Sequence, residues 1–264
     1  KNDAGEVTSS ITQQPPAILD AADSKSPHIR IQVQYSSLNY KDALAATGNP
    51  GIVRKFPHIP GIDAVGRVIQ SDDAHYQVGD LVIVTGNQLG VNCFGAWAEQ
   101  IDVPGSWAVP LPDSLTPVQA MALGTAGFTA AQCVLTRSEF VDESKRPLLS
   151  AAYAGAVDSV GGKMLETLLR TTSYRGCIAA CGLTGGSELN TTVYPFLLRG
   201  ITLCGIDSAM CPLPERQKIW QQLAGDWKLD DLDSVTQVYP MDQLNSLVSK
   251  ILAGEMVGRA VIQI

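Results

Sequence analysis

Two neighbouring side chains, Asn39 and Tyr40, offer an amide N–H and a phenol O–H at the end of an alternating apolar stretch. Donors of that kind, fixed beside an oxygen that gains negative charge, stabilise the charge as it develops. The plainer use of the same pair is an asparagine that caps a turn and a tyrosine half buried as packing; the two residues alone leave both open. Lys41 and Asp42, just beyond, read as an exposed helix start with no part in chemistry. Gly182 and Leu183 follow an apolar strand, and Asp207 and Ser208 end another. In open α/β sheets ligands settle beyond the carboxyl ends of the strands. Thr125 stands in a run of small residues, GTAGFTA (124–130), that equally suits close helix packing. Arg259 carries a planar fork able to reach a phosphate or to form a surface ion pair.

Metal chemistry has little material. The histidines are three (His28, His58, His75), and the six cysteines are scattered; Cys177 and Cys181 are separated by three apolar residues rather than by a ligand spacing. Free cysteines of this kind read as small core residues in a reducing cytoplasm. The net charge of −7 over 264 residues argues against a nucleic-acid surface, which needs a basic patch. No apolar run approaches the ~20 residues of a membrane helix, and the acidic, polar start reads as lacking a signal peptide.

The elements that would position these residues fall into two textures. Up to about residue 115 the chain reads as short strands between Gly and Pro turns: 28–35 (HIRIQVQY) with strict alternation, 61–70 with Gly66 as a bulge or close-approach point, 81–84, and 95–103. Such runs suggest a small, partly closed β-barrel. Thr116-Pro117-Val118-Gln119 then has the form of a capping box, with Pro at the first helical position. It opens a helical stretch to Phe140, broken near Gly124 and Gly127. From Ala154 the pattern alternates: strand 154–160, amphipathic helix 163–170, strand 176–182, a helical or turn segment 191–200, strand 201–207, helix 214–229, helix 241–253 and a closing strand 258–264. The expected division is 1–120 as a first domain, 121–230 as a partial parallel-sheet domain, and 231–264 returning to the first.

Several segments in this order resemble a known family: Ser36-Ser37-Leu38-Asn39-Tyr40-Lys41-Asp42, Phe56-Pro57-His58-Ile59-Pro60-Gly61-Ile62-Asp63, the GTAGFTA run, Ala180-Cys181-Gly182-Leu183, Gly205-Ile206-Asp207-Ser208 and Gly258-Arg259. Together they are similar to the zinc-free quinone oxidoreductase branch of the medium-chain dehydrogenase/reductases, which includes NADPH-dependent acrylyl-CoA reductases. The resemblance implies a GroES-like β-barrel catalytic domain joined to a Rossmann-type domain. It also implies NADPH as cofactor and a small-molecule substrate; a homodimer formed by pairing the edge strand 201–207 across a two-fold axis is a separate expectation from the open sheet edge. Asn39 and Tyr40 would face the nicotinamide and stabilise an enolate oxygen. Tyr40, Thr125, Gly182, Leu183, Asp207, Ser208 and Arg259 would touch the cofactor. Zinc alcohol dehydrogenases carry a Cys near the position of Leu38 to Tyr40 and a His-Glu pair after the glycine equivalent to Gly61. Here Leu38-Asn39-Tyr40 and Ile62-Asp63 stand in those places, so zinc is excluded. A CoA thioester would need cations; Arg54, Lys55 and Arg67 are available.

One part of that pattern is missing. A dinucleotide fold carries G-x-G-x-x-G between its first strand and helix, and this sequence has no Gly-x-Gly anywhere. Phe140 runs directly into Val141-Asp142-Glu143 where the fingerprint belongs. Only three strand candidates lie between Gly127 and Ser208, so one half of the domain, about 60 residues at ~30 per βαβ unit, is absent. The turns Val160-Gly161-Gly162-Lys163 and Gly182 to Gly186 read as plain glycine turns, not replacements. Either the chain has lost this half or the sequence belongs to a longer protein; the first is favoured. Two functions follow from the sequence: zinc-independent, NADPH-dependent reduction of a quinone or an α,β-unsaturated carbonyl compound, or a non-catalytic structural or binding protein on the same scaffold.

Overall fold

The computed structural model describes residues 6–12, 26–132 and 146–264. It divides into two compact units, residues 1–128 with 209–264, and Thr129–Ser208.

The first unit is built around β1 (His28–Ser37). Its alternation is the one its sequence predicts: Ile29, Ile31 and Val33 point inward and are buried. β2 (Asp63–Ser71) runs antiparallel along the whole of β1. Gly66 sits on β2 at the closest approach, where a Cβ would lie 2.2 Å from the Gln32 carbonyl oxygen; only glycine fits. β3 (Leu81–Thr85) pairs β2, β4 (Gln100–Pro104) pairs the first half of β1, and β5 (Ala108–Pro110) pairs β3. Residues 95–99, expected in the strand before Val103, lie outside it. The short helix α1 (Tyr40–Ala46) follows β1 directly.

Helix α2 (Pro117–Gln132) begins at the expected capping box: Thr116 N donates to Gln119 Oε1 at 3.1 Å and Gln119 N to Thr116 Oγ1 at 3.2 Å. It breaks at Gly124, whose φ of 50° and ψ of −156° are not helical. Residues 133–140, the rest of the expected helical stretch, and the junction after Phe140 lie outside the described residues, as does Cys133.

In the second unit β6 (Tyr153–Asp158), β7 (Thr172–Ala180) and β8 (Thr202–Gly205) form an all-parallel sheet in that order. Helices α3 (Gly162–Thr171) and α4 (Tyr194–Arg199) make the two crossovers. Leu165, Leu168 and Leu169 of α3 pack on Ala156, Ile178 and Ile201, while Cys177, on the opposite face of β7 from Ile178, is exposed.

Helix α5 (Leu213–Ala224), placed by sequence with the parallel sheet, groups with the first unit. The reason is a buried guanidinium: Arg216 donates to the carbonyl and hydroxyl oxygens of Thr85 at 2.7 and 2.8 Å, and to the Ala209 carbonyl at 2.9 Å. Trp220 lies fully buried beside Phe128. β9 (Thr236–Pro240), α6 (Leu244–Leu252) and β10 (Arg259–Gln263) complete the unit. β10 joins β1 antiparallel and β9 parallel. α6 places Leu244, Leu247 and Val248 against Leu38 and Ala43, which fixes α1 from the far end of the sequence.

Candidate functional site

The end of β1, the start of α1, the start of β2 and the break in α2 meet at two buried carboxylates, Asp42 and Asp63. Both are fully buried. Asp63 Oδ2 accepts from Ser37 Oγ at 2.5 Å, Asn39 Nδ2 at 2.9 Å and Thr125 N at 2.9 Å; its Oδ1 accepts from Thr125 Oγ1 at 2.5 Å. Asp42 Oδ2 accepts from Asn39 N at 2.8 Å and Asn39 Nδ2 at 3.1 Å, and its Oδ1 from Gly61 N and Ile62 N at 3.2 and 2.9 Å. The break at Gly124 makes this possible. A Cβ there would stand 2.6 Å from Asp63 Oδ2, and the positive φ turns the Thr125 amide onto that oxygen. Breaking the helix also leaves carbonyls without their i+4 donors. Arg259 Nε fills one, donating to Ala122 O at 2.7 Å, and Arg259 Nη2 lies 3.5 Å from Asn39 Oδ1.

The electrostatics follow from burial. Asp42 is pushed up to about 7, first by loss of water and then by the neighbouring charge of Asp63, against the opposing pull of its N–H donors. Arg259 is lowered by burial, while Asp63 and Asp42 hold its charge in place. The set has the composition of a fixed frame: two carboxylates, one guanidinium and the donors that bind them.

Asn39, Thr125 and Arg259, named from sequence, are thus brought together in the first unit. The Asn39 amide N–H groups, expected to face a substrate oxygen, are directed at Asp42 and Asp63 instead. Tyr40 is 48% exposed and its hydroxyl has no partner among the described residues. Asp42 corrects the reading as an exposed helix start: it is buried, and the Gly61 and Ile62 amides close on its carboxylate. Sequence reasoning passed over Ser37, Asp42 and Asp63 as functional groups. The available signals were an Asn-x-x-Asp spacing at a helix start and a carboxylate at the head of an apolar strand. Arg54 and Lys55 are both exposed, whereas Arg67 donates to the Gly79 carbonyl at 2.9 Å. Among the described residues no group of three or more His, Cys, Asp or Glu is arranged to hold a metal ion, and no helix is long and apolar enough to cross a membrane.

In the second unit, residues 180–183 and 205–207 line an open cavity of about 450 Å³ at the carboxyl ends of β7 and β8. Gly182, Leu183 and Asp207 therefore share one hollow. Ser208 accepts from Thr129 Oγ1 at 2.8 Å.

Residues 25–113 match the alcohol dehydrogenase GroES-like domain. The acrylyl-CoA reductase AcuI of Ruegeria pomeroyi is 34% identical, with 93% of each chain covered. The yhdH oxidoreductase of Salmonella enterica, solved in complex with NADP, is 33% identical at a TM-score of 0.92, covering 100% of this chain and 98% of that one. The Bacillus subtilis protein yhfP, solved with NAD bound, is 34% identical at a TM-score of 0.83, covering 89% and 90%. The chain belongs to the zinc-free quinone oxidoreductase branch of the medium-chain dehydrogenase/reductase superfamily, and by that membership is an oxidoreductase. The relatives just named include a reductase and an oxidoreductase, and none of them supports the alternative reading of a non-catalytic scaffold. The alignment with the Ruegeria protein spans 306 positions, but 93% of 264 residues is about 246, so about 60 positions face a gap in this chain. That is the size of two βαβ-scale units of ~30 residues.

Proposed function

We propose that the protein reduces a quinone to its quinol, or the carbon–carbon double bond of an α,β-unsaturated carbonyl compound such as an enoyl thioester, with a reduced nicotinamide cofactor and no zinc. The observation that carries the reading is the closed network around Asp42 and Asp63, which fixes the backbone on which Tyr40 stands. A reduced nicotinamide supplies hydride when bound. Taken by itself, the second unit offers backbone groups of 180–183 and the Asp207 carboxylate around its hollow, groups that would hold part of that cofactor. Negative charge that collects on the substrate's carbonyl oxygen would be met by the exposed Tyr40 hydroxyl, a donor in the first unit. Asn39 acts as a positioning residue, since both its amide hydrogens are held by the carboxylates. Thr125 and Arg259 brace the same frame. The acrylyl-CoA reductase relative and the exposed pair Arg54 and Lys55 support a thioester with an anionic tail.

Two further parts of the reading are ours. A two-fold dimer through β8 is supported by that strand's open edge beside an outward apolar face on α4, where Leu197 is 75% and Leu198 61% exposed; light scattering of the Leu197→Asp variant as a monomer would agree with it. A cytoplasmic setting is supported by the free thiols of Cys177 and Cys204, 3.7 Å apart.

The test is oxidation of the reduced cofactor by enoyl thioesters and by quinones, followed with wild type and Tyr40→Phe. A kcat reduced about 100-fold, the usual loss for one oxyanion donor, with an unchanged melting curve, is expected. No cofactor oxidation with any of these acceptors would remove the proposal.

A further inference from the structure

A pyrophosphate needs backbone amides that nothing else holds, offered by a glycine turn at a helix start. The second unit has two glycine turns among its described residues, and at each of them two backbone amides are already engaged. At the first, Gly161 N donates to Asp158 Oδ2 at 2.9 Å and Val160 N to Asp158 Oδ1 at 3.3 Å. A buried carboxylate therefore occupies the place an anion would take, and its charge repels one. At the second, Gly185 N donates to the Val160 carbonyl at 2.7 Å and Gly186 N to the Leu183 carbonyl at 3.1 Å. The two turns close on each other through the bridge between Gly161 and Gly186.

Two of the unit's arginines are likewise engaged with backbone. Arg199 donates to the backbone carbonyls of Leu149, Arg170 and Thr172, and Arg170 to those of Glu166 and Arg146. With no Gly-x-Gly in the sequence and about 60 family positions unmatched, the chain keeps one mononucleotide half of a two-half fold. What remains is the hollow at β7 and β8. Its volume is at the lower end of the range for ligand pockets, about 300–1,000 Å³, and the Asp207 carboxylate on its lining is an acceptor for hydroxyl groups.

We infer that this chain recognises its cofactor by the nicotinamide mononucleotide half alone, so that reduced nicotinamide mononucleotide binds as well as the dinucleotides. The inference rests on the reading above that a reduced nicotinamide is the hydride donor. Among the described residues none is set to meet the adenosine half or to read the 2′-phosphate that separates NADPH from NADH.

The experiment is a fluorescence titration of the whole protein with reduced nicotinamide mononucleotide, NADH and NADPH, without acceptor, and competition by adenosine 2′,5′-bisphosphate. Three dissociation constants within fivefold of one another, and no displacement by the bisphosphate, are expected. Asp207→Ala should weaken all three alike while the melting curve stays in place. NADPH binding more than fivefold tighter than the mononucleotide, or displacement by the bisphosphate, overturns the inference and leaves the reductase reading intact. If none of the three binds, both fall.

Discussion

Replacing Asp42 by asparagine isolates the most strained charge in the site. In the folded chain this carboxyl is raised from 3.8 to about 7, so the folded state binds its proton more tightly than the unfolded state does. Stability is therefore highest in acid and is lost as pH rises from the unfolded value through the folded one, then levels off above it. At about 1.36 kcal/mol per unit, the full loss is about 4 kcal/mol, of which roughly 2–3 kcal/mol falls between pH 5 and pH 8. An amide side chain cannot ionise, so this component disappears from Asp42→Asn, whatever fixed cost the altered hydrogen bonds impose. The assay is urea unfolding at several pH values, read by tryptophan fluorescence. All four tryptophans (Trp97, Trp107, Trp220, Trp227) lie in the first unit, so the signal reports that unit by itself. The difference in stability, variant minus wild type, should move in the variant's favour by about 2–3 kcal/mol from pH 5 to pH 8. Two curves that stay parallel across that range would refute the burial argument.

Three further outcomes are expected. Gly124→Ala places a Cβ 2.6 Å from Asp63 Oδ2 at a positive φ; unfolding in urea should show a loss of about 2–3 kcal/mol, in line with strain of 1–3 kcal/mol at such sites, and an unchanged midpoint would contradict the close fit. Arg216→Gln leaves the Thr85 and Ala209 carbonyls short of a donor, and thermal unfolding should show a cost of roughly 2–3 kcal/mol. Peptide mapping of the purified protein should recover Phe140 joined directly to Val141; about 60 further residues between them, two βαβ-scale units, would mean that the missing half exists.

Much of the frame was legible because it depends on local pattern. The alternation of Ile29, Ile31 and Val33, the reciprocal Thr116 and Gln119 bonds, and the glycine at the Gln32 carbonyl each follow from residues within a few positions. The site was less so. An aspartate three residues after an asparagine looks the same whether water or protein lies over it. Here the decision is made by α6, some 200 residues later, which packs on α1, and by a loop at Gly61. Asn39 was singled out for its amide as a donor to a substrate oxygen, but that amide is held by Asp42 in the first turn of α1 and by Asp63 on β2. β9 escaped notice because it is a five-residue edge strand ending in proline, and α5 was misplaced because a single buried guanidinium decides where it docks.

The order of the two units along the chain bears on how a host unit of this kind folds around inserts of different lengths. The first unit is discontinuous: β1 cannot meet β10 until the ends of an intervening segment of about 80 residues come together. To the barrel, that segment is simply a tether. The entropy of closing a tether grows only with the logarithm of its length, so shortening it from about 140 to about 80 residues changes the cost by only ~0.5 kcal/mol. The barrel and its carboxylate frame are thus thermodynamically indifferent to how much chain is looped out between them. Selection could trim the insert without touching the host.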